Sequence, residues 1–222
     1  MKDVELARIV EQLSTETEEI YTLQQVVDQA VLHVPGCDMC SVFVRRGDVV
    51  EVAATTDALA SRVDDLQFDL GEGPCLTVLD DHEIASVPDT ATEVRWPRWT
   101  DAARAEGVRS SLSVRLAVDS PYFACLNMYS RELDGFDTDA IDRSIVYARL
   151  ASVALLQARE ITGLRSALQN RLIIGAAQGI LMERYGLSLN RAFEVLRRRS
   201  NETNTKLRDV AQGVVDGLQL GG

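Results

Sequence analysis

The sequence has few histidines and no long apolar run, and each shortage excludes a class of function. Its 222 residues include only two histidines, His33 and His82, which lie far apart without a partner pattern. A histidine-based metal site or catalytic triad therefore has little material to use. No apolar run approaches the roughly 20 residues that a membrane-spanning helix needs. We therefore predict a protein with no membrane partner, no catalytic residues and no cofactor.

Cysteine is also scarce, with four residues in the whole chain. The amino terminus alternates charged and apolar residues at helical spacing and lacks the apolar core of a signal peptide. This predicts a cytoplasmic protein, whose cysteines would stay thiols. Cys37 and Cys40 form one CxxC pair, and because a zinc site needs two such pairs we predict no metal site. Cys37 and Cys75 fall at predicted turns and are the candidate redox-active thiols, whereas Cys40 and Cys125 lie in apolar strand patterns typical of core residues.

The net charge of −11 is divided very unevenly along the chain. Residues 163–222 contain nine Lys/Arg and five Asp/Glu, a balance of +4, whereas residues 1–162 contain 14 and 29, a balance of −15. A uniformly acidic body would repel nucleic acid, but a basic module can approach polyanions. We therefore predict two domains, residues 1–160 and residues 163–222.

Strands and helices alternate over residues 1–160, which predicts an α+β fold with an antiparallel sheet and flanking helices. A long amphipathic helix should fill the first 34 residues and end at Pro35-Gly36. Thr56 should cap a short helix that runs through Leu66, and Pro74 should begin another. Asp137 should cap a helix that runs past residue 160. The expected strands are Met39–Arg45, Val49–Ala54, Ile84–Val87, Ser110–Val118 and Tyr122–Ser130, with a helix at Pro97–Glu106 and a turn at Asp119-Ser120-Pro121.

After Gly163 no strand pattern remains, and a long helix should join the sheet domain to an all-α bundle of three helices. The expected helices are Leu164–Tyr185, Leu189–Glu202 and Lys206–Leu218. Their expected caps are Gly186, Ser188 and Thr205.

An apolar stripe follows the joining segment at a mean spacing of about 3.7 residues, close to that of a straight helix. Gly163 interrupts the stripe and marks a candidate hinge. The stripe can bury against its own domain or against a second copy of the chain. Gly175 and Gly179 indicate a backbone that a neighbouring helix or RNA approaches closely. The stripe comprises Val146, Leu150, Val153, Gln157, Ile161, Leu164, Leu168 and Leu172.

The four arginines of the second bundle helix divide into two pairs when the residues are placed at 100° intervals, with Arg197 and Arg199 at opposite edges of the core face. The predicted core face contains Leu189, Phe193, Leu196 and Ser200, so that Arg191 and Arg198 point away from it. These cations surround the turn between the last two helices. They could instead form a solvated face that is paired locally to Glu194 and Asp209. On the last helix the predicted inner face contains Leu207, Val210, Ala211, Val214 and Leu218.

Three segments in this region closely resemble the ANTAR domain, the RNA-binding module of bacterial transcription antitermination regulators. They are residues 177–187 (AQGILMERYGL), Ala192-Phe193 with Leu196-Arg197, and residues 206–211 (KLRDVA). The resemblance implies that a dimer binds paired stem-loops in a nascent transcript and prevents formation of a terminator. Gln178 stands where the family usually has lysine, which removes a charge from an RNA-facing position.

Residues 20–160 resemble a GAF domain of the kind found before ANTAR domains, which implies a GAF-type antiparallel sheet. GAF domains sense small molecules or dimerise, so the resemblance implies an unknown small-molecule ligand or a homodimer. The segments that carry it are residues 70–76 (LGEGPCL), 95–97 (RWP), 107–110 (GVRS) and 126–130 (LNMYS).

Three functions remain open at this point. The first is an RNA-binding antiterminator with a sensory domain, which would not be an enzyme. The second is a thiol-dependent redox enzyme or sensor, since some GAF-fold proteins reduce free methionine sulfoxide. The third is a DNA-binding regulator. The predicted RNA-contact residues are Arg171, Gln178, Arg184, Tyr185, Arg198, Asn204, Lys206 and Arg208.

Overall fold

The chain forms two compact units, Met1–Ile161 and Thr162–Gly222. Our computed structural model describes residues 3–47, 49–80, 82–116 and 122–217. Within these ranges, no helix combines the length and the apolar character that crossing a bilayer requires.

The first unit contains a five-stranded sheet, and its fold confirms the predicted α+β class. The strands are β1 (Met39–Arg46), β2 (Val49–Thr55), β3 (Ile84–Val87), β4 (Ser110–Leu116) and β5 (Tyr122–Ser130). Their order is β2-β1-β5-β4-β3, and every neighbouring pair is antiparallel. The predicted turn at Asp119-Ser120-Pro121 lies outside the described residues.

Helices flank this sheet, and the predictions are wrong for the single N-terminal helix and for both ends of the helix expected to end at Leu66, which runs to Leu70. The helices are α1 (Asp3–Leu13), α2 (Glu19–His33), α3 (Ala58–Leu70), α4 (Pro74–Asp80), α5 (Pro97–Ala105) and α6 (Thr138–Tyr185). The predicted single N-terminal helix breaks after Leu13, where the Thr15 hydroxyl donates to the Gln12 carbonyl (2.9 Å) and competes with helical hydrogen bonding. Asp57 rather than Thr56 caps α3, because the Thr56 hydroxyl instead accepts from the Cys40 N–H (2.9 Å).

Side chains of the central strands alternate between two buried clusters, one on each face of the sheet. Val42 and Leu126 join the cluster that α2 and α6 cover. Phe43 and Cys125 join the second cluster, which includes Trp99 and residues of α3 and α4. Both faces are therefore packed, and any polar group beneath α3 is removed from water.

The second unit contains the last turns of α6 together with α7 (Leu189–Thr203) and α8 (Leu207–Val215). The predicted interruption at Gly163 is wrong, because α6 continues through it. A glycine inside a helix costs only about 1 kcal/mol, which neighbouring good helix formers offset. The core of the unit comprises Ala177, Leu181, Ala192, Leu196, Val210, Ala211 and Val214.

Two of the three predicted caps are confirmed. Gly186 ends α6 with a φ of +63°, and the Ser188 hydroxyl accepts from the Arg191 N–H (3.4 Å) at the start of α7. Thr205 does not cap α8, because Lys206 holds the N-cap position and the Thr205 hydroxyl donates to the Thr203 carbonyl (3.2 Å).

The predicted core face of α7 is partly wrong. Leu189 and Phe193 are 56% and 37% exposed, whereas Ala192 and Leu196 are fully buried. The small Ala192 side chain lets a neighbouring helix approach closely, which turns the inner face toward it and away from Leu189. On α8 the buried residues Val210, Ala211 and Val214 agree with the prediction, and Leu218 lies outside the described residues.

Candidate nucleic-acid interface

Arginine side chains cover the outer side of α7. Arg191, Arg197 and Arg198 are exposed, and Arg199 is half-buried at the edge of the core. Arg191 Nη1 lies 2.9 Å from Glu194 Oε2, and Arg198 Nε lies 3.7 Å from a carboxylate oxygen of Glu202. The side chains of both paired arginines are 74% exposed. These ion pairs therefore lie on the surface, and the guanidinium groups remain open to a solvated partner.

Seven of the eight residues that the sequence predicts as RNA contacts are exposed. Gln178 is the exception, because it is half-buried and its amide donates to the Leu189 carbonyl (3.1 Å), which ties α6 to the start of α7. The exposed seven are Arg171, Arg184, Tyr185, Arg198, Asn204, Lys206 and Arg208.

These seven residues fall at four places along the chain, which are Arg171, Arg184 with Tyr185, Arg198, and Asn204 with Lys206 and Arg208. Asn204 ends α7 with a φ of +49°, and Lys206 begins α8, so that their side chains flank one tight turn. Free N–H groups at the start of α8 add to the attraction for anions. Arg184 and Tyr185 are the last two residues of α6. Arg171 lies about 20 Å earlier along the same helix at 1.5 Å per residue, so it is not brought close to Arg184.

Sequence reasoning missed part of this surface. A groove of about 430 Å³ follows the outer side of α7. Its lining includes Arg191, Arg197 and Asn201, none of which is in the predicted contact set. Their signal was present in the sequence, since Arg191 and Asn201 lie seven and three residues from Arg198, and Arg197 lies four residues from Asn201.

A buried carboxyl group forms a second site, inside the first unit beneath α3. Asp64 Oδ1 accepts from Asn127 Nδ2 (2.8 Å), from Gln67 Nε2 (3.3 Å) and from the Tyr129 hydroxyl. Burial raises the pKa of Asp64 from 3.8 to about 7, although donors from Ser41, Tyr129 and Asn127 oppose the shift. Its other oxygen, Oδ2, has no hydrogen-bond partner of good geometry among the described residues. The group is therefore held at the point where it can be neutral or charged near pH 7.

Hydrogen bonds extend this cluster between α4 and the sheet. Asn127 Oδ1 accepts from the hydroxyl of Ser113 (2.8 Å) and from the thiol of Cys125 (3.2 Å). Gln67 Oε1 accepts from the backbone N–H of Cys75 (2.8 Å). Desolvation raises the pKa of the Cys125 thiol well above its ordinary value. A raised pKa keeps the Cys125 thiol protonated, which does not favour nucleophilic attack by this thiol.

The two candidate redox thiols are not presented to solvent. The prediction of a turn at Cys75 is wrong, because Cys75 is the second residue of α4 and is fully buried. Cys37 is also buried, and its thiol donates to the Met39 carbonyl (3.4 Å). The redox role of both residues stays a prediction, and their burial does not favour it. Within the described ranges, no group of three or more metal-ligating side chains is found.

Comparison with protein families assigns both units. The profile of the GAF domain matches residues 16–155, and that of the ANTAR domain matches residues 162–215. The chain is a GAF–ANTAR protein. Its GAF domain is the sheet-containing unit of the sensory kind, and its ANTAR domain is the helical module found in RNA-binding antitermination regulators. Both are regulatory modules. No curated protein matches the chain.

Solved structures support the fold of the GAF domain. The free methionine-R-sulfoxide reductase of Neisseria meningitidis, in complex with its substrate, is 17% identical, with coverage of 70% of this chain and 88% of that chain and a TM-score of 0.56. The GAF domain of the cyanobacteriochrome TePixJ is 20% identical, with coverage of 67% and 95% and a TM-score of 0.53. The bacteriophytochrome RpBphP3 of R. palustris is 11% identical, with coverage of 88% and 47% and a TM-score of 0.59. At these identities the likeness shows a shared fold alone.

Proposed function

We propose that this GAF–ANTAR protein is a bacterial transcription antiterminator that binds stem-loop RNA in nascent transcripts. The ANTAR match over residues 162–215 carries the proposal. The domain boundaries that we propose are residues 1–160 for the GAF domain and 163–222 for the ANTAR domain. Because nascent transcripts are made in the bacterial cytoplasm, we place the protein there, and we assign it no catalytic reaction.

The exterior of the ANTAR domain suits looped RNA. Hairpin loops expose unstacked bases, on which tyrosine or arginine can stack, while lysine and arginine hold the phosphates. Tyr185 is exposed next to Arg184, and Lys206 and Arg208 are exposed at the start of α8. The same cations would attract duplex DNA through its phosphates, so binding to hairpin RNA and to duplex DNA must be compared at one salt concentration.

Transcription through a terminator in a purified system tests this proposal. The template should encode paired stem-loops upstream of a terminator, and the readout is the fraction of polymerases that read through. We expect read-through to rise with protein concentration, and to lose this dependence when the loop bases are changed while the stems are kept. Unchanged read-through at protein concentrations that saturate the RNA would contradict antitermination.

We further propose that the protein acts as a homodimer through the apolar stripe of α6. Within the ANTAR unit, Leu164, Leu168 and Leu172 are 65%, 60% and 65% exposed. Within the GAF unit, Val146 and Val153 are exposed as well. Large aliphatic side chains repeated at helical spacing gain about 1.5–3 kcal/mol each when they are fully buried. A second copy of the stripe supplies the matching apolar surface.

Replacing Leu168 with aspartate tests this stripe. Leu168→Asp should convert the dimer to a monomer, because a charge at the centre of an apolar helix seam has no partner there. Light scattering coupled to size exclusion measures the mass directly. Ser166→Asp is the matched control, since it adds the same charge to the exposed side of the same turn, and it should leave the dimer intact. A wild-type chain that is monomeric at micromolar concentration would contradict the proposal.

The closely spaced glycines of α6 agree with an outside partner. Among the described residues, no neighbouring helix of the same chain approaches Gly175 or Gly179. A Cβ added to either glycine would meet no atom of the described residues within 4 Å. RNA or a second copy of the chain therefore remains as the group that could approach this backbone.

The proposed role of the GAF domain is to sense a small molecule and to pass that signal to the ANTAR domain. A ligand can shift the protein toward an RNA-binding state only if it binds that state more tightly than the other. Adding a candidate metabolite should therefore change RNA affinity and, by the same factor, RNA should change the affinity for the metabolite.

A further inference from the structure

The outer side of α7 combines positive and negative side chains in one groove. Its volume is about 430 Å³, and its face points away from the buried residues Ala192 and Leu196. Helix α7 contains four arginines and two glutamates, which gives it a net charge of +2. The residues that line the groove are Arg191, Glu194, Val195, Arg197, Arg198, Asn201 and Glu202.

Each glutamate of the groove is paired with an arginine one turn away. Glu194 follows Arg191 by three residues and lies 2.9 Å from it, and Glu202 follows Arg198 by four residues and lies 3.7 Å from it. Both carboxylates are more than half exposed. Exposed pairs of this kind contribute little to stability, so a competing anion can replace the carboxylate without unfolding the helix.

We propose that this groove is an RNA-contact site in which Glu194 and Glu202 compete with RNA phosphates for Arg191 and Arg198. The two glutamates then lower the affinity for polyanions in general and set the specificity of the site. This inference rests on the proposed function, because the competing phosphates are those of the stem-loop RNA.

Competition of this kind favours RNA of the correct shape. A phosphate that reaches only one arginine must displace the glutamate carboxylate from it. The displaced carboxylate stays nearby and repels the phosphate, which weakens binding. A loop that brings two phosphates to Arg191 and Arg198 together releases counterions at both positions and displaces both glutamates. In the same groove, the Asn201 amide can donate to and accept from a base edge, and the planar Arg197 guanidinium can stack on a base.

Neutralising the glutamates tests the competition. Glu194→Gln and Glu202→Gln keep the side-chain shape and remove the charge. Fluorescence anisotropy with a labelled paired-hairpin RNA should show about three-fold tighter binding for each variant and about ten-fold for the double variant. Asp216→Asn is the matched control, because it removes the same charge from the end of α8, where Asp216 contacts Gln212 (2.8 Å). The control should bind RNA as the wild type does.

A double-mutant cycle shows whether Glu194 acts through Arg191. In an Arg191→Gln background, the Glu194→Gln substitution should no longer change RNA affinity, because the group for which it competes is gone. If Glu194 instead held Arg191 in a binding orientation, the single Glu194→Gln variant would bind RNA more weakly, and the inference would be overturned.

The remaining outcomes separate this inference from the proposed function. Wild-type binding to hairpin RNA with unchanged affinity in both glutamine variants overturns the inference alone. Equal tightening by Asp216→Asn also overturns it, because the effect would then follow net charge rather than the groove. Tightening toward duplex DNA without tightening toward RNA overturns the assignment of RNA to the groove. If the wild-type protein does not bind hairpin RNA, both the proposed function and this inference are contradicted.

Discussion

The Asp64→Asn variant is expected to be about 2–4 kcal/mol more stable than the wild type at pH 8 and equally stable near pH 4. Asp64 has a pKa of about 7 in the folded chain against an ordinary value of 3.8. Because the pKa is higher in the folded chain, Asp64 is protonated in both the folded and the unfolded chain below about pH 4. It therefore does not lower the free energy of unfolding there. As the pH rises toward 7, the unfolded chain releases the proton first, and stability falls by about 1.4 kcal/mol per pH unit.

The surroundings of Asp64 explain why asparagine should replace the neutral acid well. The three donors at Oδ1 come from Gln67, Asn127 and Tyr129, and an amide oxygen can accept from all three. The new NH₂ group would replace Oδ2, and it would face the Ser41 hydroxyl, which also has no partner of good geometry among the described residues. The other titratable groups near the carboxyl are Cys40 on β1, Cys125 and Tyr129 on β5, and Asp65 on α3 itself.

Urea unfolding between pH 5 and pH 8 measures this effect in the full chain. Both tryptophans of the protein, Trp96 and Trp99, are buried in the GAF unit, and Trp99 Nε1 donates to the carbonyl of Val63 (3.2 Å). Their fluorescence therefore reports that unit. Wild-type stability should rise by about 2–3 kcal/mol on acidification from pH 8 to pH 5. Asp69→Asn removes an exposed charge from the same helix as Asp64 and should keep this slope. A slope that persists in Asp64→Asn would contradict the assignment.

The second large effect concerns RNA affinity. Replacing both Arg198 and Lys206 with alanine should weaken binding to stem-loop RNA by about 15-fold at 0.15 M salt. Each phosphate contact that is lost removes about 0.7–0.9 from the slope of log affinity against log salt, so the double variant should also lose about 1.5 of that slope. Both side chains are exposed, and neither is part of the core of the ANTAR unit. The melting temperature should therefore change little.

Arg104→Ala is the matched control for this experiment. Arg104 is a half-exposed arginine of the GAF unit, and it contacts Asp101 (3.4 Å) in a surface ion pair like those of α7. Its removal should leave both RNA affinity and the salt slope as in the wild type. If the Arg198 and Lys206 variants bind RNA with unchanged affinity, this face of the ANTAR domain is not the contact surface.

The sheet and most helices could be predicted because their signals are local. Short runs of apolar residues mark β1 and β5, and Pro74 and Gly186 hold the helix-end positions that their backbone preferences favour. The sequence predicts a long helix that joins the two domains, but it does not predict that this helix continues through Gly163. Whether one glycine interrupts a helix depends on how much the turns on both sides stabilise it, which no single residue reveals.

The Asp64 site could not be predicted either, for a different reason. In the sequence, Asp64 lies in a polar run of α3 and reads as one more surface carboxylate. Its partners Asn127 and Tyr129 follow 63 and 65 residues later, on β5. Only the packing of α3 across the sheet brings these groups together. The predicted inner face of α7 was wrong for a related reason. Ala192 contributes little to a hydrophobic pattern, but its small side chain allows a neighbouring helix to approach most closely.

The central claim is that the ANTAR domain presents a cationic surface that recognises looped RNA. Titration of the wild-type protein with a paired-hairpin RNA and with duplex DNA of equal length, at the same salt concentration, tests it most directly. Our account predicts saturable binding to the hairpin RNA that is at least ten-fold tighter than binding to DNA, and that weakens when the loop bases are replaced. Equal affinity for the hairpin RNA and the duplex DNA would contradict it, as would an RNA affinity that does not change when the loop bases are replaced.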